Sequence, residues 1–124
     1  MQQKDNFPFE NTEVYKKAMD FVKLCRQIIK ALPKSYYTDG DQLKRASLSV
    51  CNNYAEGYGR WGKKDKKYFY SIARGSAFEC VPVLTLLHKE DFISDKKINT
   101  LRDCIMQVTK MLSGMITGLD NRKN

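Results

Sequence analysis

The stretch INTLRDCIMQVTKMLSGMITGL, Ile98–Leu119, sets Ile98, Leu101, Ile105, Val108, Leu112, Met115 and Leu119 at spacings that alternate three and four without a break. That is the 3.6-residue period of a helix buried along one stripe. Ser94 stands where an N-cap belongs, because its hydroxyl can accept from the free amides of the first turn. This segment predicts a helix over about 94–119.

Three more stripes precede it. Val14, Ala18, Phe21, Cys25, Ile28 and Leu32, widened by Val22 and Ile29, predict a helix over about 13–32, with Asn11 and Thr12 as caps and Pro33 as its stop. Leu43, Ser47, Val50, Tyr54 and Gly57 or Tyr58 predict a second over about 41–60. Phe69, Ile72 or Ala73, Ser76, Cys80, Val83 or Leu84, and Leu87 predict a third over about 63–89. Pro82 falls inside that third segment and predicts either a kink near Phe78 or two separate helices. No alternating strand pattern of useful length occurs. Connections near 33–40, 60–63 and 90–94 are short, so neighbours run antiparallel. The expectation is all-α: one domain, residues 1–124, folded as an antiparallel up-and-down four-helix bundle.

The 124 residues carry a formal charge of +8, which favours an anionic partner, nucleic acid ahead of a membrane surface. The opening MQQKDNFPFE lacks an apolar segment, and the longest apolar run, VPVLTLL at Val81–Leu87, is far short of the ~20 residues that span a bilayer. The sequence therefore reads as soluble and cytoplasmic, with no membrane role. Cys25, Cys51, Cys80 and Cys104 form no C-x-x-C, and His88 is the lone histidine, so buried reduced thiols are expected, with neither metal nor cofactor.

The charge gathers around GYGRWGKKDKK, Gly57–Lys67. From Arg60 to Arg74 six basic residues face Asp65 alone. Gly57, Gly59 and Gly62 spell G-x-G-x-x-G, but that fingerprint works only between a strand and a helix, and a helix precedes it here. No Gly-Lys-Ser/Thr follows, which removes a phosphate-binding loop of the Walker type. The glycines read as a turn, with positive φ angles available to them. The cations read as a grip for an anionic polymer: Lys63, Lys67, Tyr70 and Arg74 share one helical face, Lys64 and Lys66 flank it, and Trp61 stands at its entrance. The competing reading is a solvated helix face. Phe78 and Val81, on the outer side of the third helix, hint at self-association.

The run QLKRASLSVCNNYAEGYGR (Gln42–Arg60), with Asp65, Phe69, ARGSAFE (Ala73–Glu79) and KMLSGMITGL (Lys110–Leu119), resembles the four-helix bundle proteins encoded in intervening sequences of bacterial 23S rRNA genes. Accessory variability determinants of diversity-generating retroelements belong to the same group. Arg45, Ser47, Asn53, Glu56, Gly57, Gly59, Gly75, Ser76 and Glu79 carry the likeness. The resemblance implies a ring-like homo-pentamer with a basic surface and no catalytic activity. For the retroelement members it also implies binding of structured RNA and of a reverse transcriptase. Tyr54, where a smaller aliphatic residue is usual, and Pro82 depart from the pattern.

An enzyme is not expected. A di-iron bundle needs Glu-x-x-His pairs, and Glu56 and Glu79, read as buried acids, have no histidine beside them in the sequence. They are assigned instead to ion pairs with Arg45, Arg60 or Arg74. The function expected is a non-catalytic, oligomeric nucleic-acid-binding accessory protein, with structured RNA as the ligand. Arg60, Lys63, Lys64, Lys66, Lys67 and Arg74 would contact phosphates, and Trp61 and Tyr70 would stack on bases. The alternative is an oligomeric adaptor that binds a protein partner, such as a reverse transcriptase, without touching RNA.

Overall fold

The structure, a computed structural model, describes residues 6–122. Its helices are α1 Glu13–Ala31, α2 Tyr37–Tyr58, α3 Lys63–Lys89 and α4 Asp95–Asp120, with short 3-10 turns at Pro8–Asn11 and Lys34–Tyr36. No strand occurs among the described residues. Packing runs round the bundle, α1 on α2, α2 on α3, α3 on α4 and α4 back on α1. The register of α3 on α4 is antiparallel: Lys67 pairs with Asp120, and Arg74, seven residues on, reaches Ser113, seven residues back.

The stripe that decides α4 is the buried one. Ile98, Leu101, Ile105, Val108, Leu112 and Leu119 are all buried, and Met115 is half-buried. Ser94 caps the helix, its Oγ accepting from the Lys97 amide at 3.1 Å. At the other end of the chain Thr12 precedes α1 but caps nothing with its side chain. Its hydroxyl donates to the Phe9 carbonyl at 2.6 Å and accepts from the Tyr54 hydroxyl at 2.9 Å. That bond satisfies the polar tip of a tyrosine only 2% exposed, which is how the core takes a phenol at this position.

Helix α2 begins at Tyr37, four residues before the expected start. Thr38-Asp39-Gly40 reads as a turn, yet Gly40 is buried inside the helix. A Cβ there would lie 3.3 Å from the Ile29 side chain, so the glycine lets α2 approach α1 closely. Helix α3 is one helix through Pro82, not two. Pro82 is exposed, so the Phe78 carbonyl it leaves without an intrahelical partner lies on the solvent side.

The turn after α3 uses an aspartate where glycine is commonest. Asp91 has φ 67°, and its amide donates to the His88 carbonyl while the Phe92 amide donates to the Leu87 carbonyl. This is the paired closure that satisfies the last carbonyls of a helix. All four cysteines are free: Cys25, Cys51 and Cys80 are buried and Cys104 is half-buried. Burial pushes the Cys51 thiol up to about 11 and the Cys80 thiol up to about 12, so both are unreactive thiols near neutral pH.

Gly57 fixes the spacing of α2 and α3. A Cβ on it would fall 2.8 Å from Cε1 of Tyr70 and 3.1 Å from Cβ of Phe69. Gly57→Ala is expected to lower stability by about 1–3 kcal/mol through overpacking. Gly114→Ala, where a Cβ meets open space in the middle of α4, is expected to raise it by about 0.5–1 kcal/mol. Urea unfolding of the two variants reads both signs.

Candidate nucleic-acid interface

The basic residues meet where the C-termini of α2 and α4 lie beside the N-terminus of α3. A helix C-terminus presents unpaired carbonyls and a partial negative charge, and cations settle there. Lys66 is the clearest case: its Nζ donates to the Tyr58 carbonyl at 2.8 Å and the Gly57 carbonyl at 3.3 Å, closing α2. Lys63 Nζ donates to the Arg122 carbonyl at 3.1 Å, just beyond α4, and Lys67 pairs with Asp120 at its end. Arg60 pairs with Glu56 at 2.9 Å and covers the Phe69 ring, 4.7 Å from its centroid.

The structure corrects the sequence reading at several residues. Tyr70 is not on the basic face. It is 4% exposed, stacked on Tyr54 with centroids 5.7 Å apart, and fills the space Gly57 leaves open. The residues Lys63, Lys67 and Arg74 lie instead on the seam with α4, and Tyr70 turns inward from it. Phe69 is accordingly half-buried and capped by Arg60, so the buried stripe of α3 starts at Tyr70, Ala73 and Ser76. Arg74 stands apart from the corner, its Nε donating to Ser113 Oγ at 2.7 Å and its guanidinium lying over Phe78. The glycines of the turn do not use positive φ: Gly59 sits at −78° and Gly62 at −84°.

Of the remaining motif residues, Ser47, Asn53 and Ser76 make hydrogen bonds inside the bundle. Ser49 Oγ and Ser76 Oγ lie 2.8 Å apart across the α2–α3 interface, and Asn53 Nδ2 donates to both the carbonyl and the hydroxyl of Ser49. Ser47 is fully buried and donates to the Lys44 carbonyl. Glu56 and Glu79 are exposed, not buried acids, and Arg45 pairs with Asp41. Gly75 is exposed with open space around it. Every buried side-chain nitrogen and oxygen among the described residues has a partner, and no His, Cys, Asp or Glu cluster of metal-binding size occurs among them.

What faces solvent is a set of cations. Among the described residues Lys63, Lys64, Lys66 and Arg122 have no carboxylate partner. Trp61 is 99% exposed beside them. Arg122 is the member that sequence reasoning missed. It lies more than fifty residues from the lysines, and only the antiparallel return of α4 brings it in.

The fold is a four-helix bundle that carries at one corner four cations without carboxylate partners among the described residues and an exposed indole. The chain belongs to the family of 23S rRNA-intervening sequence proteins, whose model matches residues 10–114. A solved structure from Bacteroides thetaiotaomicron, a protein of unknown function from the S23 ribosomal protein family, shares the fold. It has a TM-score of 0.77 and 21% identity, over 83% of this chain and 97% of that one. No curated protein matches.

The geometry separates two kinds of lysine. Lys66→Met is expected to lower stability by about 1 kcal/mol, because the carbonyls of Gly57 and Tyr58 lose their donor. Lys64→Met, which removes an exposed ammonium that pairs with no carboxylate among the described residues, is expected to change it by less than about 0.5 kcal/mol. Thermal or urea unfolding distinguishes them.

Proposed function

We propose that the protein is a non-catalytic accessory protein that binds structured RNA through the α2–α3–α4 corner. The observation that carries this reading is the group of four cations, Lys63, Lys64, Lys66 and Arg122, without carboxylate partners among the described residues, with the exposed Trp61 two residues before Lys63. Cations spaced along a helix end suit phosphates, and a bare indole suits a base. Contacts of this kind position a ligand without reading its sequence, so the preference is for form over sequence. The family's name, which refers to 23S rRNA, agrees with an RNA-related role. The same reading makes the protein cytoplasmic. No helix among the described residues is long and apolar enough to cross a membrane.

The proposal includes self-assembly as a ring-like homo-pentamer of the kind the sequence resemblance implies, shared with retroelement accessory proteins. Support comes from a largely apolar exposed surface: Phe78 is 45% and Met106 60% exposed, and with Val81, Pro82, Arg102 and Ile105 they line a cleft of about 380 Å3. That cleft also favours a second reading, an adaptor that docks a protein partner such as a reverse transcriptase and leaves RNA alone.

Affinity for a hairpin RNA across a salt series decides between them. Four phosphate contacts predict a log–log slope of roughly −3 to −4, and a Lys63→Glu/Lys64→Glu variant that still folds is expected to flatten it by about half. A flat salt response, or no binding at low salt, contradicts the RNA reading and leaves the adaptor. Mass in solution tests the assembly: a single-chain mass for the parent overturns it, and Phe78→Asp with Met106→Asp is expected to reduce an oligomer to single chains.

A further inference from the structure

Beside the cation group lies a cleft of about 530 Å3 lined by Tyr58, Lys66, Tyr70, Met115, Gly118, Leu119 and Arg122. Its volume falls in the ~300–1,000 Å3 range of small-molecule sites. The walls divide by chemistry. Tyr58, Met115 and Leu119 give an aromatic and aliphatic side, with Tyr70 at the floor, while Lys66 and Arg122 give a cationic side. Among the described residues no carboxylate lines it.

Two features show that the cationic side is unbalanced. The Lys66 ammonium is held below its ordinary pKa, first by burial and then by the nearby Arg122. Two cations that repel each other at a cavity wall are both relieved by an anion placed between them. Lys66 also has three protons to donate and gives two, to the Gly57 and Tyr58 carbonyls, which leaves one for a ligand. Gly118 is part of the lining, and a Cβ there would meet nothing within 4 Å, so the position has room for a larger side chain.

We propose that this cleft receives one unpaired nucleotide of a bound RNA, its base against Tyr58 and Met115 and its phosphate on Lys66 and Arg122. The inference rests on the RNA-binding reading and adds the form of RNA preferred: one with an unstacked or overhanging nucleotide. A continuous duplex offers phosphates to the corner but no free base to the cleft.

The test compares a blunt RNA duplex with the same duplex carrying a single unpaired adenosine at one 3′ end. The parent protein is expected to bind the overhang form about tenfold more tightly, the range that stacking of one base supplies. Gly118→Leu fills the cleft without altering charge, and at an open helical position it does not threaten folding. It is expected to abolish the preference and leave blunt-duplex affinity within about twofold. Arg122→Gln is expected to weaken the preference as well. Equal parent affinity for the two RNAs, or a preference that survives Gly118→Leu, overturns the nucleotide cleft while the general reading stands. Failure of the parent to bind either RNA at low salt overturns both.

Discussion

The contact on which this structure depends is between a missing side chain and a ring. Gly57 has no Cβ, and the Tyr70 ring lies where one would be, 2.8 Å from that position. The approach brings the last turn of α2 against the first turns of α3. It seats Tyr70 on Tyr54, whose hydroxyl reaches Thr12 at the start of α1. Three helices are thus referred to one point in a close-packed interior, where a single added methyl is felt. The tyrosine at position 54, unusual by resemblance, is accommodated by this arrangement: its ring stacks and its hydroxyl is satisfied.

The same approach arranges the charge. Because α2 ends beside the opening of α3, Lys66 reaches back to the carbonyls that α2 leaves free, and because α4 returns antiparallel, Lys63 and Lys67 reach its end. The lysines therefore have a structural role that needs no ligand. Their hydrogen bonds go mostly to neutral carbonyls, which accept protons but do not cancel charge. Lys67 and Arg60 are the exceptions, neutralised by Asp120 and Glu56. What remains, among the described residues, is a surface on which Lys63 and Lys66 are held in place by backbone and still without a carboxylate partner. Preorganised donors of this kind lose little freedom when a phosphate arrives.

Most of the fold could be read from spacing. The stripe of α4 and its Ser94 cap were legible because burial on one face imposes the 3.6-residue period directly. The start of α2 was not, since Asp39-Gly40 has turn chemistry and only the neighbouring Ile29 makes a glycine useful inside a helix. At the site, a helical wheel grouped Tyr70 with Lys63, Lys67 and Arg74 correctly by angle but could not say which side of that row was inside. That depended on Gly57, in another helix. A wheel also counts only its own helix, so Asp120 and Arg122 entered the charge balance of the corner unseen. Sequence proximity measured how many cations were present; tertiary register decided which ones were free.

The most direct measurement is an NMR titration of isotope-labelled protein with a short hairpin RNA at low salt, following backbone amides and the Trp61 indole. Shifts concentrated at Arg60–Lys67 and Met115–Arg122, with the opposite end of the bundle near Pro33–Gly40 and Glu90–Asp95 unmoved, are the result expected of a corner that holds RNA. Shifts centred on the Phe78–Met106 cleft, or none at the corner despite binding, would contradict it.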